Sequence, residues 1–171
     1  MALFQIAAPE QIHADLVTLA DQRQVVEARQ NAAREAAAKI RGDVESFVGE
    51  CVASLREQTA TLCEEMLASI GSGKTEGVHQ KTLNRLVRFI EQFKQLNFAN
   101  DTEMEHNLEH VRRELLGRTA TEYRDSAHAQ RQLRQGLSNL ADKARELVRA
   151  DATELVQRFG DLGRRRFLLA A

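Results

Sequence analysis

Proline is almost absent from this 171-residue sequence, in which only Pro9 occurs. Proline is the residue that most strongly interrupts helices, so nothing of that kind breaks a helix after position 9. Aromatic residues make up 5% of the chain and tryptophan is missing, which argues against the thick core of large side chains that globular enzymes usually build. No apolar run approaches the roughly 20 residues that a membrane-spanning helix needs.

The residues that are abundant favour helices packed by narrow contacts. Hydrophobic residues make up 43% of the chain and charged residues 29%. Alanine, leucine, glutamate, glutamine and arginine dominate, and all are good helix formers. Alanine lets two helix backbones approach and leucine fills the gaps between them. The sequence therefore predicts an all-α protein: an antiparallel bundle of three to five helices with a long, coiled-coil-like N-terminal helix or helical hairpin.

The first predicted segment, residues 1–70, carries apolar residues at seven-residue spacing. The series is Ile12, Leu19, Val26, Ala33, Ile40 and Phe47, and a second series of Leu16, Ala37, Val44 and Cys51 is interrupted by Arg23 and Gln30. An unbroken helix from 9 to 70 would be roughly 90 Å long, three times the length of a 20-residue helix. A 20-residue helix could cover only about a third of the apolar face of this segment. The segment must therefore fold back on itself, pair with a later helix or contact another chain. We favour a homodimer or a partner-bound helix through Ile12, Leu19, Val26 and Ile40.

A glycine-rich linker, residues 71–77, is predicted to join the long segment to a compact helical part, residues 78–171. Within this part we expect helices at about 78–96, 102–116 and 120–159. Thr102 with Glu105, and Thr119 with Glu122, match the capping box that starts a helix. No alternating strand pattern or long internal repeat accompanies them.

The middle of the chain is its only markedly basic stretch, with five Lys or Arg against two Asp or Glu in residues 71–98. Lys81, Arg85 and Arg88 fall within about 60° of one another on the second predicted helix. Such a stripe could contact nucleic-acid phosphates or an acidic partner. It could equally be the charged outer face that every bundle needs, or could pair with the acidic first segment. Total charge is −1, so nucleic-acid binding is the alternative function.

Residues 68–75, Ala-Ser-Ile-Gly-Ser-Gly-Lys-Thr, differ by one residue from a phosphate-binding loop. In that loop Lys74 would reach the terminal phosphates and Thr75 would hold magnesium. A strand must lead into such a loop, yet the preceding residues 62–67 have the pattern of an amphipathic helix. We therefore predict a linker here and no nucleotide or other cofactor.

His106 and His110, with Glu109 between them, match a zinc-protease pattern. Two histidines four residues apart share a helix face and can hold a metal, but catalysis needs a third ligand. Glu114 and Glu122 could supply this third ligand, but any acidic helical protein contains such glutamates, so their presence does not favour a metal site. A metal-dependent hydrolase at His106 and His110 is thus the remote alternative, and we expect no metal site.

The C-terminal tail combines Arg164, Arg165 and Arg166 with a short apolar end. It could dock on a partner, touch a membrane surface, or close the open end of the bundle. The N-terminus lacks the basic start of a signal peptide, so we expect a cytoplasmic protein. Taken together, the sequence predicts a non-catalytic interaction, adaptor or structural protein that acts through coiled-coil-like packing, with a protein partner or a second copy of itself.

Overall fold

The protein is all-α. The computed structural model describes the backbone of residues 9–71, 77–150 and 152–169 and the side chains of residues 21–71, 77–150 and 152–161. Six helices and no strand occur in these ranges. The helices are α1 (Pro9–Gly71), α2 (Gln80–Leu96), α3 (Thr102–Leu115), α4 (Ala120–Arg124), α5 (Ala127–Arg149) and α6 (Thr153–Leu169). The expected helical bundle with a long N-terminal helix is confirmed.

Helix α1 settles one alternative that the sequence left open. Its 63 residues form one continuous helix rather than a hairpin, and Gly42 and Gly49 do not interrupt it. The chain divides into two compact units, Met1–Val44 and Glu45–Ala171. Of the predicted linker, Gly71 ends α1 and Gly77 has a positive φ of 79°, while residues 72–76 lie outside the described residues.

The predicted helix over 120–159 is wrong as a single element, because three helices occupy that stretch. Ser126 begins α5 by accepting a hydrogen bond from the Ala129 N–H on its hydroxyl. At the other end, Ala150 adopts an extended conformation that terminates α5. Neither break involves glycine or proline, so the apolar periodicity runs through both and conceals them.

The capping predictions had different outcomes at the two sites. Thr119 and Glu122 form the expected capping box at the start of α4. At α3, however, Asp101 is the cap and accepts from the Met104 N–H at 3.2 Å. Thr102 is instead the first residue of the helix. Asp and Thr are both good caps, so the sequence alone does not decide which of these two adjacent residues caps the helix.

The main core of the second unit lies among the C-terminal part of α1 and helices α2, α3, α4 and α5. α3 packs against both α2 and α5, and α4 packs against α5. The apolar positions of the predicted helices supply most of this core, which contains Leu62, Met66, Leu86, Ile90, Phe93, Met104, Leu108, Leu133, Leu137 and Leu140. Tyr123 is also fully buried and donates its hydroxyl hydrogen to the Leu115 carbonyl.

A smaller apolar cluster fixes α6 within the same unit. Val48 and Val52 of α1 are buried beside Val156 of α6. Phe98, in the turn before α3, meets Phe159 edge to face with ring centroids 5.7 Å apart. Edge-to-face contacts are a favoured geometry for aromatic pairs, so α6 has its own apolar anchor.

One buried ion pair ties three helices together. The Nε of Arg56, on α1, donates to Asp101 at 2.7 Å, and both side chains are about 95% buried, with relative exposures of 6% and 5%. Arg56 also donates through Nη1 to the Leu147 carbonyl of α5 at 2.6 Å. Since Asp101 caps α3 as well, the two bonds of Arg56 connect α1, α3 and α5.

Candidate protein-interaction site

Part of α1 presents large apolar side chains to solvent. Every side chain from residue 21 to residue 44 is exposed. The relative exposures of Val26, Ile40 and Val44 are 50%, 64% and 44%. Single exposed aliphatic residues are common on protein surfaces, but an aligned set of them marks a candidate contact surface.

These residues form one line along the helix, which we call the apolar seam. It consists of Val26, Ala33, Ala37, Ile40 and Val44. At 100° per residue all five fall within an arc of about 60°. From Ala33 to Val44 neighbouring members are three or four residues apart, and Val26 lies seven residues before Ala33. These are the spacings of a coiled-coil contact, in which small residues permit close approach of a partner helix.

Charged side chains border the seam on both sides. Glu27, Arg34 and Arg41 lie along one edge, and Arg29 and Asp43 lie along the other. All five are exposed. None takes part in any ion pair formed between described side chains. Flanking charges of this kind select partner and orientation in coiled coils.

The sequence-predicted partner residues of α1 divide into two groups. Val26 and Ile40 lie in the seam and are exposed, as a contact surface requires. The side chains of Ile12 and Leu19 lie outside the described residues. Phe47, the next member of the predicted series, belongs to the second unit and is also exposed, at 60%.

The predicted basic stripe lines a cleft between the C-terminal part of α1 and helix α2. The cleft has a volume of about 1020 Å³, and Leu62, Met66 and Phe89 contribute apolar surface to it. Lys81 and Arg88 are exposed along its α2 side. The structure therefore does bring all three basic residues of the stripe, Lys81, Arg85 and Arg88, to one surface.

Acidic residues of α1 offset this basic surface. Arg85 contacts Glu65 at 2.6 Å, and both side chains are at least half exposed. Glu57 lines the same cleft. The pairing with the acidic first segment, which the sequence left open, is thus present for Arg85. A cleft that carries both signs of charge presents a weak field to a nucleic acid, whose binding depends on concentrated positive charge.

The histidine pattern on α3 has no third ligand near it within the part of the chain that the structure describes. His106 and His110 are both exposed. Among the side chains that the structure describes, no group of three His, Cys, Asp or Glu residues is placed to hold a metal ion. Glu109 contacts the Lys94 ammonium at 2.5 Å. The hydrogen bond from Lys94 lowers the pKa of Glu109, so this carboxylate serves an ion pair between α2 and α3.

The segment that resembles a phosphate-binding loop follows a helix. α1 continues through residues 62–67 to Gly71, where a nucleotide site would need a strand. Lys74 and Thr75 lie outside the described residues. The side chains of Arg164, Arg165 and Arg166 also lie outside them, although the backbone at these positions belongs to α6.

The two thiols have different environments. Cys63 is fully buried, and burial raises its pKa to about 12, with a further contribution from the neighbouring Glu64. Cys51 is half-buried, and neither cysteine forms a disulfide. A thiol with such a high pKa is almost entirely protonated near neutral pH, so Cys63 is a packing residue rather than a nucleophile.

No protein-family model, curated protein or solved structure matched the chain significantly. Within the described ranges, none of the helices combines the length and the apolar character that crossing a bilayer requires.

Proposed function

We propose that this is a non-catalytic helical interaction protein, an adaptor or structural component, that binds a partner helix along the apolar seam. The observation that carries the proposal is the exposure of Val26, Ile40 and Val44 in one line on α1. A compact helical unit, residues 45–171, accompanies this surface in the same chain. Two free thiols suit a reducing compartment, so we place the protein in the cytoplasm.

The seam can supply binding energy only if a partner covers all of it. Complete burial of a Val or Ile side chain contributes about 1.5–3 kcal/mol, and these three are already about half covered, so each would gain roughly half of that. Association itself costs at least about 4 kcal/mol. A partner must therefore run alongside the helix, which is what coiled-coil packing achieves.

Position-specific photocrosslinking in cells that make the protein tests this proposal. We would place a photoreactive amino acid at Gln30, which lies in line with the seam, and in a matched variant at Ala28, on the opposite face. Both native residues are exposed. Defined protein adducts should form from position 30 and be several-fold fewer from position 28. Equal yields from the two positions would refute seam binding.

A seam substitution provides the second arm of the experiment. Ile40→Asp places a charge in the contact, so adducts from position 30 should disappear in this background. Lys39→Asp is the control, because residue 39 lies off the seam and is also exposed. If both substitutions left the adducts unchanged, the contact would not depend on the apolar seam.

A further inference from the structure

We propose that the occupant of the apolar seam is a second copy of the same helix, packed antiparallel and centred near residue 35. This inference rests on the proposed function and specifies its partner. It comes from the order of apolar and charged residues in the exposed segment 21–44, in which both the seam and its borders are nearly self-complementary when the helix is reversed. Two-fold symmetric contacts of this kind are the commonest in homo-oligomers.

The seam residues match one another in this orientation. In an antiparallel pair centred near residue 35, facing residues have numbers that add up to about 70. The resulting layers are Val26 against Val44, Ala33 against Ala37, and Gln30 against Ile40, each occurring twice by symmetry. The large residues thus meet at both ends, while the alanines meet in the middle, where they let the two backbones approach closely.

The bordering charges match in the same register. Glu27 of one copy faces Arg41 of the other along one edge of the seam, and Arg29 faces Asp43 along the other edge. Symmetry doubles each pair, giving four attractive contacts. Arg34 meets its own counterpart near the centre and is the single like-charge contact, which the long arginine side chain can relieve by turning outward.

A parallel arrangement loses this match. In parallel coiled coils a residue on the border of Arg29 and Asp43 faces the residue five positions further along the partner, and a residue on the border of Glu27 faces the one five positions back. Arg29 would then face Arg34, Glu27 would face Gln22, and Asp43 would face Val48. This orientation contains one repulsive pair, which symmetry also doubles, and no attractive one, so the charges of residues 21–44 favour the antiparallel dimer.

Charge reversal in the full-length chain tests the orientation, with sedimentation equilibrium at low salt as the measurement. Concentrations should extend to about 1 mM, where even a weak dimer is populated. Glu27→Arg converts two attractive contacts into two repulsive ones and should weaken dimerisation by roughly tenfold or more. Adding Arg41→Glu restores opposite charges and should recover most of the affinity. Glu35→Arg, on the outer face, is the matched control and should change dimerisation little.

The outcomes separate this inference from the proposed function. A dimer that Glu27→Arg weakens and Arg41→Glu rescues supports both. If Ile40→Asp abolishes the dimer but charge reversal does not weaken it, the seam is the contact surface and the antiparallel register is refuted. A chain that stays monomeric up to about 1 mM refutes the second copy. In that case position-specific crosslinking at residue 30 decides whether the seam serves a different partner.

Discussion

Replacing Asp101 with asparagine removes the charge that Arg56 faces in the interior of the second unit. Asparagine keeps the shape of the side chain and is an equally good helix cap, so the hydrogen bond from the Met104 N–H to residue 101 should persist. The substitution therefore isolates the ion pair from the cap. Arg56 would keep its bond to the Leu147 carbonyl at 2.6 Å, but its positive charge would have no counter-charge.

Removal of one partner from a buried ion pair costs about 3–5 kcal/mol, because the remaining charge is left uncompensated. Asparagine has a single side-chain oxygen, and if this oxygen keeps the hydrogen bond from the Met104 N–H, the amide NH2 group faces Arg56 and cannot accept from Nε. The expected loss is therefore at least about 3 kcal/mol. For a chain of this size that corresponds to a fall in Tm of roughly 6–12 °C. Such a loss is a large fraction of the ~5–15 kcal/mol that holds a typical domain folded.

Thermal and urea unfolding followed by circular dichroism would measure the effect. The matched control is Glu65→Gln, which breaks the exposed pair with Arg85 and should cost less than about 1 kcal/mol. Adding Arg56→Met to Asp101→Asn removes the stranded charge, so the double variant should be no less stable than Asp101→Asn alone. A change in Tm below about 2 °C for Asp101→Asn would refute our account of this pair.

Three further predictions concern single groups. Cys63, with its pKa of about 12, should resist alkylation of the folded protein at pH 8, while the half-buried Cys51 reacts. Peptide mass spectrometry would measure the labelling, and rapid labelling of Cys63 would contradict its burial. The hydrogen bond from Lys94 lowers the pKa of Glu109. The contribution of the ionised Glu109 side chain to stability is therefore present at pH values above 4.5, its ordinary pKa, and is lost as the pH falls through the lowered pKa of the folded state. Glu109→Gln should therefore be less stable than the parent at pH 7, with a difference that vanishes in strong acid, and a difference independent of pH would refute this. A methyl group at Gly136 would overlap the Leu115 side chain. Gly136→Ala should therefore gain the full ~1 kcal/mol of helix propensity only in a chain that also carries Leu115→Ala. Equal gains with leucine and with alanine at position 115 would show that the contact does not matter.

The candidate site was partly predictable from sequence. Seven-residue spacing identified Val26 and Ile40 as members of an apolar line, and the same pattern contained Ala37 and Val44 in its second series. Periodicity shows which residues share a face, but it cannot show whether another part of the chain covers that face. The exposure of Val26 and Ile40 therefore had to come from the structure.

The buried pair of Arg56 and Asp101 could not have been predicted. The two residues lie 45 positions apart in the sequence, and nothing in the pattern around either one distinguishes it from a charged surface residue. Arginine and aspartate are almost never buried unless paired, so burial becomes apparent only when the partner is known. Tyr123 is likewise completely buried, which its position in the sequence pattern does not reveal.

Local chemistry along the chain determined the helical class and most helix ends. Good helix formers, the near absence of proline and side-chain caps such as Thr119 act within a few residues, and such effects can be read from sequence. Tertiary packing decided the burial of Arg56 and which apolar faces remain exposed. Those outcomes depend on contacts between distant residues, because the free energy of burial belongs to a pair of surfaces and is not a property of either segment alone.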